Sequence, residues 1–169
     1  LAEAGAEVIK IERPGGEDMR RSPPFIDGES ILFGVLNRGK RSIELDIKSK
    51  EGYKKIINII KSADIVVDQF RPGVMERLSL DFKNLLKIKP NIIHCSITGY
   101  GQNGPKKLVA AHDLNYMAES GLLSLAIEKD GTPAMPNTQI ADIAGGSYPA
   151  VINILLAIRE VEKTGKGKF

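Results

Sequence analysis

Residues 42–70 read SIELDIKSKEGYKKIINIIKSADIVVDQF, and the stretch contains a strand, a helix and a second strand in succession. Ile43, Leu45 and Ile47 alternate with Ser42, Glu44 and Asp46, so the three apolar side chains share one face of an extended segment. Ser49 then supplies an N-cap hydroxyl. Behind it Tyr53, Ile56, Ile57, Ile59 and Ile60 recur at helical spacing until about Ser62. Ile65 to Phe70 follows as a short, β-branched run of the kind that is buried in a parallel sheet.

The same alternation extends outward on both sides. Upstream, a helix end at Gly5 precedes the polar–apolar alternation of Glu7 to Glu12, which Arg13-Pro14-Gly15-Gly16 stops. Gly16 to Ser30 is rich in Gly, Pro, Asp and Arg and reads as an exposed loop able to close over a ligand. Downstream come a helical turn over Val74 to Leu78, a helix over Asp81 to Ile88 closed by Pro90, and a strand over Ile92 to Thr98. This order predicts an α/β fold with a Rossmann-like, open, mainly parallel sheet over residues 1–110. Residues 111–169 change character: Asp113 to Leu125 and Ile140 to Glu162 are helical in pattern, joined through the punctuated stretch Gly131 to Asn137. Gly145 and Gly146 weaken the second of these helices, and close packing is the reading preferred over room for a bulky ligand.

Composition narrows the function classes. The chain has 169 residues, 42% hydrophobic and 27% charged, the balance of an ordinary globular protein. A formal charge of +3 is too small to imply nucleic acid as a partner. The single cysteine, Cys95, gives no disulfide framework, and no Cys or His pair stands at metal-ligand spacing, so no metal is expected. The apolar stretch Ala150 to Ile158 is too short for a membrane span. No leader is visible and a cytoplasmic location is the default, but the chain opens on Leu1 and reads as a piece of a longer protein, so organelle targeting stays open.

Arg13, Arg20, Arg21, Arg38, Lys40, Arg41, Arg71 and Arg77 recur in loops or at element ends, where they can converge at the edge of a parallel sheet. Guanidinium groups there suit a ligand with several phosphates, although the same residues equally make a solvated surface. There is neither a Walker A sequence nor a Gly-x-Gly-x-x-Gly turn, which argues against ordinary ATP or dinucleotide binding. The glycine-rich run Gly99 to Pro105 follows a predicted strand but has neither spacing.

Four strings carry a more specific message: Gly5 to Pro14 (GAEVIKIERP), Asn37 to Ser42 (NRGKRS), Phe70 to Leu78 (FRPGVMERL) and Thr98 to Pro105 (TGYGQNGP). In this order they resemble the class III coenzyme A transferase superfamily, the CaiB/BaiF type, over nearly the whole chain. Ala111-His112-Asp113-Leu114-Asn115-Tyr116 and Ile140-Ala141-Asp142-Ile143-Ala144-Gly145-Gly146 are similar to the catalytic segments of its α-methylacyl-CoA racemase branch. The resemblance implies part of a large Rossmann-like domain with its following helices, an acyl-CoA thioester as substrate, no tightly bound cofactor, and an interlocked homodimer at full length. It makes His112 and Asp142 the acid/base pair. CoA contacts then fall on Arg13, on Leu45, Asp46, Ile47 and Lys48, on Gln69, Phe70, Arg71 and Arg77, and on Ala111, Leu114, Asn115 and Tyr116.

The chemistry demands such a pair. Inverting the α-carbon of a 2-methylacyl thioester removes a proton from one face and returns one to the other through an enolate. His112 and Asp142 would each serve one face, with the carboxylate's proton affinity raised by desolvation and the enolate oxygen held by N–H groups where the chain enters the helix after His112. Asp113 admits a different reaction: by the same resemblance it is the candidate nucleophile of a CoA transferase, working through a mixed anhydride. His112 favours the isomerase, because transferases commonly carry a non-basic residue before that aspartate. A CoA-binding homologue without catalysis is the third reading. His94, inside a predicted strand, is expected to be a hydrogen-bonded structural residue.

Overall fold

The computed structural model describes all residues, 1–169. In chain order the elements are β1 (Ile9–Glu12), β2 (Phe25–Ile26), β3 (Glu29–Ser30), α1 (Ile31–Asn37), β4 (Arg41–Glu44), α2 (Lys50–Ser62), β5 (Ile65–Asp68), α3 (Val74–Arg77), α4 (Phe82–Ile88), β6 (Ile93–Ser96), α5 (Asp113–Glu119) and α6 (Tyr148–Thr164). A π-helical segment, Ala141–Ser147, leads into α6. The chain divides into two compact units, Leu1–Ile59 and Ile60–Phe169.

In the first unit β1 and β4 run parallel, in register from Ile9 opposite Arg41 to Glu12 opposite Glu44. The Leu45 N–H continues the ladder by donating to the Glu12 carbonyl at 2.8 Å. β4 stops three residues before the predicted end because Asp46 captures the backbone: its Oδ1 accepts the Lys48 N–H at 3.0 Å, an Asx turn that competes with the strand. Ser49 caps α2 as its sequence position suggests, accepting the Gly52 N–H at 3.0 Å. Gly52 has no room for a side chain, since a Cβ there would overlap the Asp46 carbonyl. Gly52→Ala is therefore expected to cost on the order of 2 kcal/mol, read as a lower urea midpoint for the protein at full length.

The segment Gly16 to Ser30 is more structured than the expected loop. It holds a 3₁₀ turn over Asp18–Arg21 and the hairpin β2–β3. Asp27 and Gly28 both have positive φ, 50° and 82°, the backbone of a two-residue hairpin turn that favours Asp-Gly. Next comes a helix that the period count missed, α1, whose cap Ser30 accepts the Phe33 N–H at 3.2 Å. The turn is anchored by Glu12, only 3% exposed. Its carboxylate accepts two hydrogen bonds from Arg20, each 2.7 Å, one from the Ser42 hydroxyl and one from the Glu17 N–H at 3.0 Å.

In the second unit β5 and β6 are parallel, in register from Ile65 opposite Ile93 to Asp68 opposite Ser96. Lys168 adds a parallel bridge at Ile93, with His94 N–H donating to the Lys168 carbonyl at 2.9 Å. Leu85 and Ile92 are fully enclosed, and Ile60, Met75, Leu80, Ile93, Met117 and Ile154 are buried. α4 begins where Asp81 accepts the Lys83 N–H at 3.1 Å, as expected from the sequence. Gly145 has open space where a Cβ would go, and Gly146 has only ordinary contacts with Ala141 and Ile97. The close packing expected of this pair is thus not found; both lie in the π-helical widening of the helix.

The continuous helical run Ala141–Thr164 is 24 residues long, and an 18-residue window within it has a mean hydropathy of 1.4, which the expectation of no membrane-length segment did not foresee. By length and composition alone it could cross a membrane, but Asp142 stands in its first turn and Arg159, Glu160, Glu162 and Lys163 in its last part. A core helix has the same composition, so this is no clear membrane span. Within it Ile154 is buried, while Tyr148, Ile152, Leu155 and Leu156 are exposed.

Candidate functional site

Parallel strands deliver their following loops to one edge, and that edge is where ligands meet open α/β sheets. In the first unit the register that sets Glu12 opposite Glu44 brings Arg13 and Leu45 off the same edge. Leu45 is buried, Ile47 half-buried, and Asp46 and Lys48 exposed. Arg13 is exposed but engaged: its Nη2 donates to Asp18 Oδ1 at 2.5 Å and its Nε to the Gly16 carbonyl at 3.2 Å. Arg21 donates to the same Asp18 oxygen at 2.9 Å.

Several members of the expected basic rim have other occupations. Arg20 belongs to the Glu12 clamp, Arg38 pairs with Glu3 and Arg41 with Glu7. Lys40 donates to Asn37 at 3.0 Å, and burial, aided by neighbouring Lys10, holds its ammonium below the usual lysine range. The sequence could not distinguish these from ligand-binding cations, because partner choice depends on which strands are neighbours.

In the second unit Gln69, Phe70, Arg71 and Arg77 follow β5 and are all exposed. Neither Arg71 nor Arg77 forms an ion pair. The glycine-rich loop leaves the same edge from β6 and packs on α5. Tyr100 meets Tyr116 edge to face with centroids 5.2 Å apart, and the Tyr116 hydroxyl donates to the Ala111 carbonyl at 3.2 Å. A Cβ on Gly99 would overlap the Tyr116 ring and hydroxyl, so this glycine is required by close approach. Gly99→Ala is expected to displace Tyr116 and with it the Ala111–His112 backbone, lowering turnover about tenfold with a measurable loss of thermal stability.

His112 is the N-cap residue of α5, exposed, with its backbone N–H donating to Asn115 Oδ1 at 3.0 Å. It shares a shallow cleft of about 360 Å³ with Asp113, Leu114 and the stretch Met135–Gln139. Asp142 stands in the first turn of the π-helical segment and is exposed. The bond between these segments is made by Asp113, whose Oδ1 accepts the Asp142 N–H at 2.8 Å. Asp113 thus ties the start of α5 to the start of the π-helical segment. Asp142 leaves its own carboxylate without a hydrogen bond. His94, as expected, is structural in character: it is buried and its Nε2 lies 2.7 Å from Asp68 Oδ2.

With this geometry in view, the likenesses of the chain are specific. The family model for CoA-transferase family III matches residues 1–169, and the chain belongs to that family. It is 40% identical over 171 residues to the succinyl-CoA:glutarate CoA-transferase of Mus musculus, covering 100% of this chain and 39% of that protein. It is 36% identical over 169 residues to the alpha-methylacyl-CoA racemase of Homo sapiens, covering 99% of this chain and 41% of that one. A CAIB/BAIF family protein from Brucella suis superposes with a TM-score of 0.89 at 37% identity, over 96% of this chain and 44% of that one. The chain therefore spans less than half the length of these relatives. Its α/β fold, with parallel strand pairs and helices, is that of class III CoA transferases.

Proposed function

We propose that the full-length protein, as a homodimer, inverts the α-carbon of 2-methylacyl-CoA thioesters, with His112 and Asp142 as the two acid/base groups. The observation that carries this reading is the 2.8 Å bond from Asp142 N–H to Asp113 Oδ1. It gives Asp113 a backbone-holding role through Oδ1, which supports assigning proton transfer to His112 and Asp142. The Asn115 N–H turns back to the His112 carbonyl at 2.9 Å, so the Asp113 and Leu114 N–H groups are the proposed donors to the enolate oxygen. Asp142 is exposed in this chain, and the desolvation that catalysis requires is assigned to the bound acyl-CoA and the rest of the full-length protein. CoA itself is bound by Arg13, by Leu45–Lys48, by Gln69–Arg71 and Arg77, and by Ala111 and Leu114–Tyr116. Arg13 meets a phosphate by exchanging its Asp18 partner.

A second reading, transfer of CoA between carboxylic acids, is favoured by the higher identity to the glutarate transferase. In that reaction the aspartate carboxylate attacks the thioester carbonyl and CoA thiolate leaves; the thiolate attacks the aspartyl carbonyl of the anhydride and releases the donor acid. The acceptor carboxylate then displaces the thiolate from the aspartyl thioester and is attacked by the same thiolate at its own acyl carbonyl, giving the new thioester and the free aspartate. Asp113 is the nucleophile of this second reading, with Oδ1 on the Asp142 N–H and Oδ2 left for the attack. Incubation of the full-length protein in deuterium oxide with a 2-methylacyl-CoA, and in parallel with succinyl-CoA and glutarate, separates the readings. Label at the α-carbon with loss of optical activity supports inversion. CoA moving from succinyl-CoA to glutarate without α-label overturns it in favour of transfer.

A further inference from the structure

β5 ends on a buried carboxylate that neither reaction uses. Asp68 is 7% exposed, and its two oxygens face three donors. Oδ1 accepts the Phe70 N–H at 2.9 Å and the Ser96 hydroxyl at 3.3 Å; Oδ2 lies 2.7 Å from His94 Nε2. Ser96 Oγ accepts in turn from Gln102 Nε2 at 2.7 Å. His94 Nδ1 is buried without a partner, so the network assigns the ring hydrogen to Nε2, the nitrogen that donates to Asp68. The His94 ring packs on Phe169 with centroids 5.0 Å apart, and Phe169 stacks on Phe82 at 5.7 Å. Together with Arg71 these groups line a cleft of about 160 Å³.

The bond from Phe70 N–H back to Asp68 is an Asx turn, which fixes the direction in which the chain leaves the strand. Gln69, Phe70 and Arg71 are exposed, and their backbone course is set at this carboxylate. Ser96 and Gln102 extend the same network into the glycine-rich loop, which leaves the sheet beside them.

We propose that Asp68 is a positioning residue for acyl-CoA: it orients Gln69–Arg71 toward the nucleotide end of the coenzyme, and through Ser96 and Gln102 it keeps the glycine-rich loop in step. This rests on the assignment of Gln69–Arg71 as CoA contacts. The test compares, on the full-length protein, steady-state kinetics with an acyl-CoA and with the matching acyl-pantetheine thioester, which lacks the nucleotide. Asp68→Ala, which removes the acceptor of the Phe70 N–H, is expected to raise KM for the acyl-CoA about tenfold, with kcat within about twofold and no change for acyl-pantetheine, and Asp68→Asn, whose amide oxygen keeps that bond, to restore KM to within about threefold. Ser96→Ala, which cuts the Gln102 link, is expected to give the same pattern at about threefold. Equal losses with both thioesters, or a fall confined to kcat, overturn the proposal. Arg71→Ala is the control. If it leaves KM for acyl-CoA unchanged, the assignment of the loop fails; if it raises KM while Asp68→Ala and Ser96→Ala do not, the positioning role alone fails. Should Asp68→Ala not fold, Ser96→Ala decides.

Discussion

Asp142→Asn in the full-length protein is expected to lower turnover about 10²–10⁴-fold while leaving the thermal midpoint nearly unchanged. The substitution keeps the shape of the side chain, and the bond that anchors this residue uses its backbone N–H, not its carboxylate. Nothing in the fold depends on the carboxylate, so the loss isolates chemistry from stability. His112→Ala is expected to act on the same scale. Asp113 provides the contrast. Asp113→Asn keeps an oxygen to accept the Asp142 N–H and should retain most activity, whereas Asp113→Ala removes the acceptor, frees the start of the π-helical segment and should cost about 10–100-fold through misplacement. Turnover and thermal melts on the four variants check the series. If Asp113→Asn is as inactive as Asp142→Asn, a nucleophilic Asp113 replaces the positioning role.

The second large effect concerns stability. Glu12→Ala is expected to destabilise the protein by about 3 kcal/mol, the scale of breaking a buried ion pair by removing one partner; Arg20, about one-third exposed, regains some water and keeps the cost at the low end. The hydrogen bonds from Arg20, then those from Ser42 and Glu17, hold the Glu12 carboxyl at about 2, against 4.5 for an ordinary glutamate, although burial pushes the other way. The folded-state value lies below the unfolded one, so this contribution is complete above pH about 4.5 and is lost as pH falls toward about 2. Urea denaturation of the protein and of Glu12→Gln from pH 7 to pH 3 reads this directly: the gap between them should narrow as the pH drops. A constant gap removes the ionised clamp as the cause.

Much of the fold was legible because its signals are local. Ser49 and Asp81 cap the helices that their positions announce, and the β-branched run at Ile65 is a strand. Where the expectation failed, a local cue had been outweighed. Asp27-Gly28 is a hairpin turn signal, hidden in a stretch whose Gly, Pro and charges read as loop. Gly34 interrupts an apolar segment that Ser30 nonetheless caps into α1. β4 ends early because the Asp46 side chain bonds two residues ahead, a competition that alternation does not register.

The candidate site divides in the same way. Residue types and their order were enough to assign the acyl-CoA family and to single out His112, Asp113 and Asp142. The hydrogen bonding of the two carboxylates was not in the sequence, since an aspartate reads identically whether its side chain accepts a backbone N–H or stands free. Only the packing of α5 against the π-helical segment engages Asp113 and leaves Asp142 bare. Likewise Arg20 and Arg71 are equivalent as letters. The parallel pairing of β1 with β4 puts Ser42 beside Glu12 and completes the clamp that takes Arg20, whereas Arg71 stays exposed at the end of β5. Identity and periodicity are properties of the chain; the partner of a charge is decided by which distant segments the tertiary structure makes neighbours.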